Sequence, residues 1–209
     1  MGIEADSKLA EYGRLLAGWP GLVGRGEDPA ALVEDSLALL PHLADATTLV
    51  DVGSGGGMPG IPLALARPGL RVTLIESDAR KAAFLEQAAA RLALPLRVLA
   101  VRAEAAGRGE LRETFDAACC RALAALPVAL ELCLPLVRIG GRLLVLSTES
   151  DLAPAAAAAA ALGGGEPLAA AAPSRLRGRG AVVVVPKLAP TPDAYPRRPG
   201  VPARRPLGI

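Results

Sequence analysis

At 209 residues the chain has the length of one α/β domain with a small extension, enough to bury a core and too little for a second full domain. Hydrophobic residues make up 52% of it and aromatic residues only 2%, so the core must be built from Leu, Val and Ala, and a nucleic-acid surface made of stacking rings is disfavoured. The formal net charge of +2 conceals a division: Arg175, Arg177, Arg179, Lys187, Arg197, Arg198, Arg204 and Arg205 stand against Asp193 alone near the C-terminus, which leaves the remainder net acidic and suggests either a polyanion partner or a solubilising tail.

The first residues, with Glu4, Asp6 and Lys8, contain no apolar leader, so the expected location is cytoplasmic. Residues 7–19 carry Leu9, Tyr12, Leu15 and Leu16 on one helical face and stop at Pro20-Gly21. Asp28-Pro29 reads as an N-cap followed by proline at the first helical position, and Leu32, Val33, Leu37 and Leu40 continue an apolar stripe. These two helices are expected to form a cap, residues 1–45, that shapes a substrate entrance. His42 is the only histidine, which makes a His-based triad or a zinc site hard to build.

Residues 47–52 form a β-branched run holding the carboxylate of Asp51, pass into Gly53-Ser54-Gly55-Gly56-Gly57-Met58-Pro59-Gly60, and resume as an apolar helical pattern over 61–66. The order is strand, tight turn, helix. Glycines open backbone conformations closed to other residues and let a ligand lie against bare main chain. Gly53, Gly55 and Gly57 are spaced G-x-G-x-G rather than G-x-G-x-x-G. Asp51 beside the turn would repel a pyrophosphate, which disfavours NAD or ATP, and would attract the ammonium and sulfonium of S-adenosyl-L-methionine. Glu76 closes the next strand, 71–76, where a Rossmann-like fold sets an acid on ribose hydroxyls.

Ser77 is expected to cap a helix over 78–92 with Phe84, Leu85, Ala88 and Leu92 inward. Strands follow at 96–101, 115–120 and 141–147, with a helix over 126–134 between the last two. That alternation implies a parallel doubly wound sheet with its ligand at the carboxyl ends of the strands, so site residues should be those that close each strand. Cys119, Cys120 and Cys133 form no C-x-x-C pair and read as reduced core fillers. Residues 152–172 are the nearest approach to a long apolar run, but Pro154, Gly163, Gly164, Gly165, Glu166 and Pro167 interrupt it, so it cannot span a membrane. Within it, 155–161 is a helix-forming alanine tract and 168–172 a weak strand; 181–185 is the final strand. Beyond Lys187 the prolines at 190, 192, 196, 199, 202 and 206 argue against helix or sheet and for an extended basic arm, 188–209, able to grip phosphates through Arg197, Arg198, Arg204 and Arg205.

Taken together these pieces resemble the RsmG family, also called glucose-inhibited division protein B. The resemblance is carried by Glu34-Asp35-Ser36-Leu37; by Asp51 through Pro62; by Glu76-Ser77 with Arg80-Lys81 and Phe84-Leu85; by Arg102-Ala103-Glu104; by Arg121-Ala122; by Leu134-Pro135-Leu136 through Gly140-Gly141; and by Tyr195-Pro196-Arg197-Arg198-Pro199-Gly200. It implies a class I methyltransferase fold, Rossmann-like over 46–187, and an S-adenosyl-L-methionine-dependent enzyme acting on N7 of a guanine in 16S ribosomal RNA. The implied partner is that RNA or the small ribosomal subunit, met by a monomer without membrane, DNA or metal. Carried over by position, Gly53 and Met58 would hold the cofactor by main chain, Ala103 and Glu104 would flank the adenine, and Arg121 would sit near the methyl donor. Leu32 departs from the family's usual histidine, and Ser147-Thr148 from its usual Lys-Gly.

Guanine N7 offers an in-plane lone pair that carries no proton, so no general base is required and no catalytic residue is assigned. Cys119-Cys120-Arg121-Ala122 replaces the Asn/Asp-Pro-Pro-aromatic run expected of an exocyclic-amine methyltransferase, and no histidine or proline accompanies the cysteines as a thiol nucleophile would need. Arg121 reads either as a strand-end group stacking on a base or holding a carboxylate, or as a surface partner of Asp116. Arg80 and Lys81 either touch phosphate or are solvated. Two rival functions stay open: a non-catalytic relative that binds cofactor or RNA in ribosome assembly, and a small-molecule methyltransferase, which would not require the arginine arm.

Overall fold

The computed structural model describes residues 3–24, 26–147 and 152–208. Among these residues seven strands, β1 (Thr48–Val52), β2 (Arg71–Ile75), β3 (Arg97–Leu99), β4 (Phe115–Arg121), β5 (Val137–Ser147), β6 (Leu168–Ala171) and β7 (Ala181–Pro186), form one sheet in the order β3-β2-β1-β4-β5-β7-β6. Strands β1 to β5 are parallel, as the alternation predicts. β7 is antiparallel to both β5 and β6, which corrects the expectation of a parallel sheet at this edge. The connection over 172–180 is too short for the crossover of roughly a dozen residues that a parallel pair needs, so the chain turns back on itself.

Helices α1 (Ile3–Gly18), α2 (Pro29–Leu37), α3 (Gly60–Ala66) and α4 (Ala79–Arg91) cover one face; α5 (Ala103–Ala106), α6 (Leu126–Cys133) and α7 (Ala153–Ala161) cover the other. The period of two along β1 divides the core: Leu49 packs with Tyr12, Leu32, Ile61 and Phe84 on the first face, and Val50 and Val52 with Leu130, Leu143 and Ala158 on the second. The three cysteines are free and buried, as expected of core fillers. Asp28 caps α2 by accepting from Ala30 N at 2.9 Å. The cap of α4 is Asp78 and not Ser77; its carboxylate takes the N–H groups of Arg80 and Lys81 at 2.8 and 3.2 Å, which an ionised side chain does better than a hydroxyl.

The C-terminal segment departs most from expectation. It contains a one-turn helix, α8 (Val201–Arg204), with proline inside its first turn, where a missing N–H costs nothing. It is also fastened along its length. Proline removes donors but leaves every carbonyl free, and Arg112 donates to the carbonyls of Gly107, Thr191 and Tyr195 at 3.0, 2.5 and 2.8 Å while Arg108 Nε reaches Pro196 O at 2.6 Å. At its root Lys187 lies fully buried among Glu113 Oε1 (2.8 Å), Leu134 O (3.1 Å) and the Thr191 hydroxyl. Residues 188–208 therefore form a strap bound to the α5 and α6 face.

Candidate cofactor and acceptor site

The turn after β1 is built by hydrogen bonds that consume most of its donors. Gly53 N and Ser54 N both reach Ile75 O (2.8 and 3.0 Å), Gly57 N and Met58 N both reach Ser54 O (2.7 and 3.1 Å), and Gly55 N reaches Glu76 Oε2 (2.9 Å). Among the described residues the carbonyls of Gly53 and Gly55 accept nothing. A turn that spends its N–H groups inwardly and leaves oxygens free is poor at holding phosphate and suited to a cation. Gly53, Gly55 and Gly57 have φ of +69°, +56° and +95°. A Cβ on Gly53 would fall 2.5 Å from Leu123 Cδ1, so Leu123 lies directly over the turn. Met58 packs its side chain into the core. α1 is tied to the same turn, since the buried Tyr12 hydroxyl donates to Gly56 O at 2.7 Å.

Both acids stand at this turn. Asp51 is 0% exposed; its Oδ2 accepts from Gly60 N at 2.9 Å, and among the described residues its Oδ1 has no hydrogen bond. Burial pushes its pKa up to about 7, against the pull of the Gly60 N–H and the charge of Arg121, with Glu76 adding to the rise. Glu76, 7% exposed, spans from Gly55 N to Asp78 N, which its Oε1 accepts at 2.8 Å. Each carboxylate oxygen keeps further lone-pair capacity.

Ala103 and Glu104 open α5, a helix too short for periodicity to reveal. Glu104 is buried and accepts from Gly200 N of the strap at 3.2 Å. Arg121 closes β4, and the next residue, Ala122, has the left-handed φ of +49°, uncommon outside glycine. The Arg121 side chain is 20% exposed and makes no hydrogen bond among the described residues; Asp35 Oδ2 stands 3.9 Å from its Nη1. The alternative pairing with Asp116 fails because Arg138 holds that carboxylate at 2.7 Å. The Thr47 and Thr48 N–H groups also donate to it. Leu32, the first departure from the family pattern, is fully buried core. Ser147 ends β5 and lends its carbonyl to Arg177 at 3.1 Å, whereas Thr148 lies outside the described residues.

Of the arginines expected to grip phosphate, Arg198, Arg204 and Arg205 are exposed and Arg197 is not free. Its guanidinium is locked on the buried carboxylate of Glu131, with Nη2 to Oε2 at 2.5 Å and Nε to Oε1 at 2.9 Å. A cavity of about 170 Å³ opens at the carboxyl ends of β4 and β5, lined by Cys120, Ala122, Leu123, Leu126, Val145 and Ser147. Larger hollows of about 480 and 420 Å³ lie at the opposite end of the sheet, around Leu70 and Pro95, remote from the turn. Among the described residues no three His, Cys, Asp or Glu side chains cluster as metal ligands, and no helix is long and apolar enough to cross a membrane.

This geometry can be set beside known proteins. The family model of GidB, described as rRNA small subunit methyltransferase G, matches residues 8–164. The chain belongs to the GidB family. It is 41% identical over 230 residues to ribosomal RNA small subunit methyltransferase G of Rubrobacter xylanophilus, a match covering 98% of this chain and 84% of that one. It is 42% identical over 196 residues to the protein of the same name in Syntrophomonas wolfei, covering 89% and 91% of the two chains. Among solved structures, an O-methyltransferase from Bacillus cereus in complex with SAH is 19% identical with a TM-score of 0.63, covering 87% of this chain and 91% of that one. This GidB-family chain thus has the class I methyltransferase fold, with the Rossmann-like layering read from its sequence.

Proposed function

We propose that this GidB-family chain transfers a methyl group from S-adenosyl-L-methionine to N7 of a guanine in 16S ribosomal RNA. The observation that carries the reading is the turn after β1: bare carbonyls at Gly53 and Gly55, a carboxylate beneath it with an unpartnered Oδ1, and a second carboxylate at the end of β2. A buried acceptor with no donor costs free energy until a donor arrives, and an ammonium supplies both donor and charge. The residues therefore fit the methyl donor.

S-adenosyl-L-methionine supplies an electrophilic methyl carbon on a positively charged sulfur. Glu76 would offer lone pairs to its ribose hydroxyls, Ala103 and Glu104 would bound the adenine side, and Asp51 with the Gly53 and Gly55 carbonyls would take the ammonium. Arg121 and the Leu123 segment stand at the end of β4, over the glycine turn, where an acceptor base would enter. N7 needs no base to remove a proton, so positioning is the main contribution left to the protein, worth roughly 7 to 11 kcal/mol when reacting atoms are held about 3 to 3.5 Å apart. On this reading residues 1–45 cap the entrance, 46–187 bind the cofactor and the strap, 188–208, meets RNA phosphate through Arg198, Arg204 and Arg205.

The test is chemical. Ribosomal RNA from cells lacking this chain should lose one aniline-sensitive N7-methylguanine in the small-subunit RNA, and the purified chain with S-adenosyl-L-methionine should restore it. Unchanged cleavage in the deletion strain refutes the reading.

A further inference from the structure

Asp35 sits in α2 with 1% of its surface exposed, and its two oxygens are treated unequally. Oδ1 accepts from Arg177 Nε at 2.7 Å, while Oδ2 is buried, makes no hydrogen bond among the described residues, and lies 3.9 Å from Arg121 Nη1. Arg177 is held on every side: Nη1 donates to Ser147 O (3.1 Å) at the end of β5 and to Ala181 O (3.0 Å) at the start of β7, and Nη2 to Ala172 O (3.1 Å) beyond β6. Residues of three strand ends thus fix one guanidinium, which fixes one carboxylate.

For stability alone this is a poor arrangement. A buried ion pair seldom outperforms apolar residues of the same volume, and an unsatisfied buried oxygen adds a further penalty. What the arrangement does supply is an immobile negative charge beside Arg121. At 3.9 Å that charge orients the guanidinium without consuming its N–H groups, which stay free for a ligand. Arg121 also feels the second buried carboxylate, Asp51, from below the glycine turn. The left-handed Ala122 then turns the backbone away immediately after it.

We propose that Asp35, clamped by Arg177, is a positioning residue that aims Arg121 at the line between methyl donor and acceptor base. This deepens the methyltransferase reading of the site and rests on it. Arg177, read in the sequence as part of a basic tail, is turned inward to serve the site from behind.

The experiment uses the full chain, tritiated S-adenosyl-L-methionine, and small ribosomal subunits from cells lacking the modification. Asp35→Asn should bind S-adenosyl-L-methionine calorimetrically within about threefold of wild type, yet lose about 10- to 100-fold in kcat, the cost of a misaimed group. Arg121→Ala should lose a similar factor, and the double variant should be no slower than Arg121→Ala, because Asp35 acts only through Arg121. A merely structural role lowers the thermal midpoint but leaves the kcat of folded protein unchanged. Asp35→Asn within about twofold of an active wild type, or losses that multiply in the double variant, overturn the proposal while the function stands. If Asp35→Asn does not fold, Arg177→Gln answers the same question: its kcat loss should vanish in the Arg121→Ala background, and persistence of that loss overturns the proposal. A wild type that transfers no methyl overturns both readings together.

Discussion

Asp51 offers a sign that can be measured. The unfolded chain releases this proton in the usual carboxylate range near about pH 4, whereas the folded protein keeps it to about 7 because the group is dehydrated. Between those values the folded state binds more protons, so stability falls as pH rises through the window and levels off above it. A cation docked at Oδ1 favours the ionised form, so affinity for S-adenosyl-L-methionine should rise over the same window. The difference in thermal midpoint between wild type and Asp51→Asn should therefore change between about pH 4 and 7, and the stabilisation conferred by S-adenosyl-L-methionine should grow with pH only in wild type. Parallel pH profiles for the two proteins would contradict the assignment. Gly57 permits a second separation of effects. Its φ of +95° nearly matches the +91° of Gly69, but a Cβ on Gly57 meets Ile61 Cδ1 at 2.5 Å, whereas one on Gly69 meets nothing within 4 Å. Gly69→Ala thus carries backbone strain alone, about 1 kcal/mol, and Gly57→Ala should cost about 1 to 3 kcal/mol more by denaturant unfolding. Equal costs would mean that Ile61 moves aside freely.

Among elements the strap has the sharpest consequence. Arg197 covers Glu131, which is fully buried in α6, so Arg197→Ala strands a charge and should destabilise by about 3 to 5 kcal/mol, while Arg198→Ala next to it should change stability by less than about 0.5 kcal/mol. Denaturant midpoints of the two variants check this, and similar values would show that the strap is not clamped. None of that was legible in the sequence. Periods of two and near four revealed the sheet strands and long helices, and the acids at strand ends revealed the turn, because each signal is local. The strap is held by guanidinium groups on backbone carbonyls more than 70 residues away in the chain, as at Arg112 and Tyr195, and its prolines report only what it cannot be. Likewise a valine run such as 181–185 states that a buried strand exists but not its direction, which the short connection before it decides. Tyr12 was legible as part of an apolar helical face; its hydroxyl contact with Gly56 O, which joins α1 to the turn, leaves no pattern in the sequence.

For the whole molecule the question is where RNA meets the chain. Arg198, Arg204 and Arg205 are exposed on a strap that Glu104 grips through Gly200 N, so they are held beside the end of β3, the same end of the sheet as the glycine turn. Removing the strap at Leu188 would test this badly, because it also removes the Arg197 clamp and the Glu104 contact. Converting Arg198, Arg204 and Arg205 to alanine leaves both in place. If each meets one phosphate, the slope of log affinity for 16S ribosomal RNA against log salt should flatten by about 2 to 3, since each contact releases about 0.7 to 0.9 of a counterion. Affinity for S-adenosyl-L-methionine should not change, because among the described residues none of the three side chains bonds to the turn or to its two acids; that of Arg204 reaches Gly200 O instead. An unchanged salt slope in the triple variant would place the RNA on another surface and leave these arginines as solvated charge.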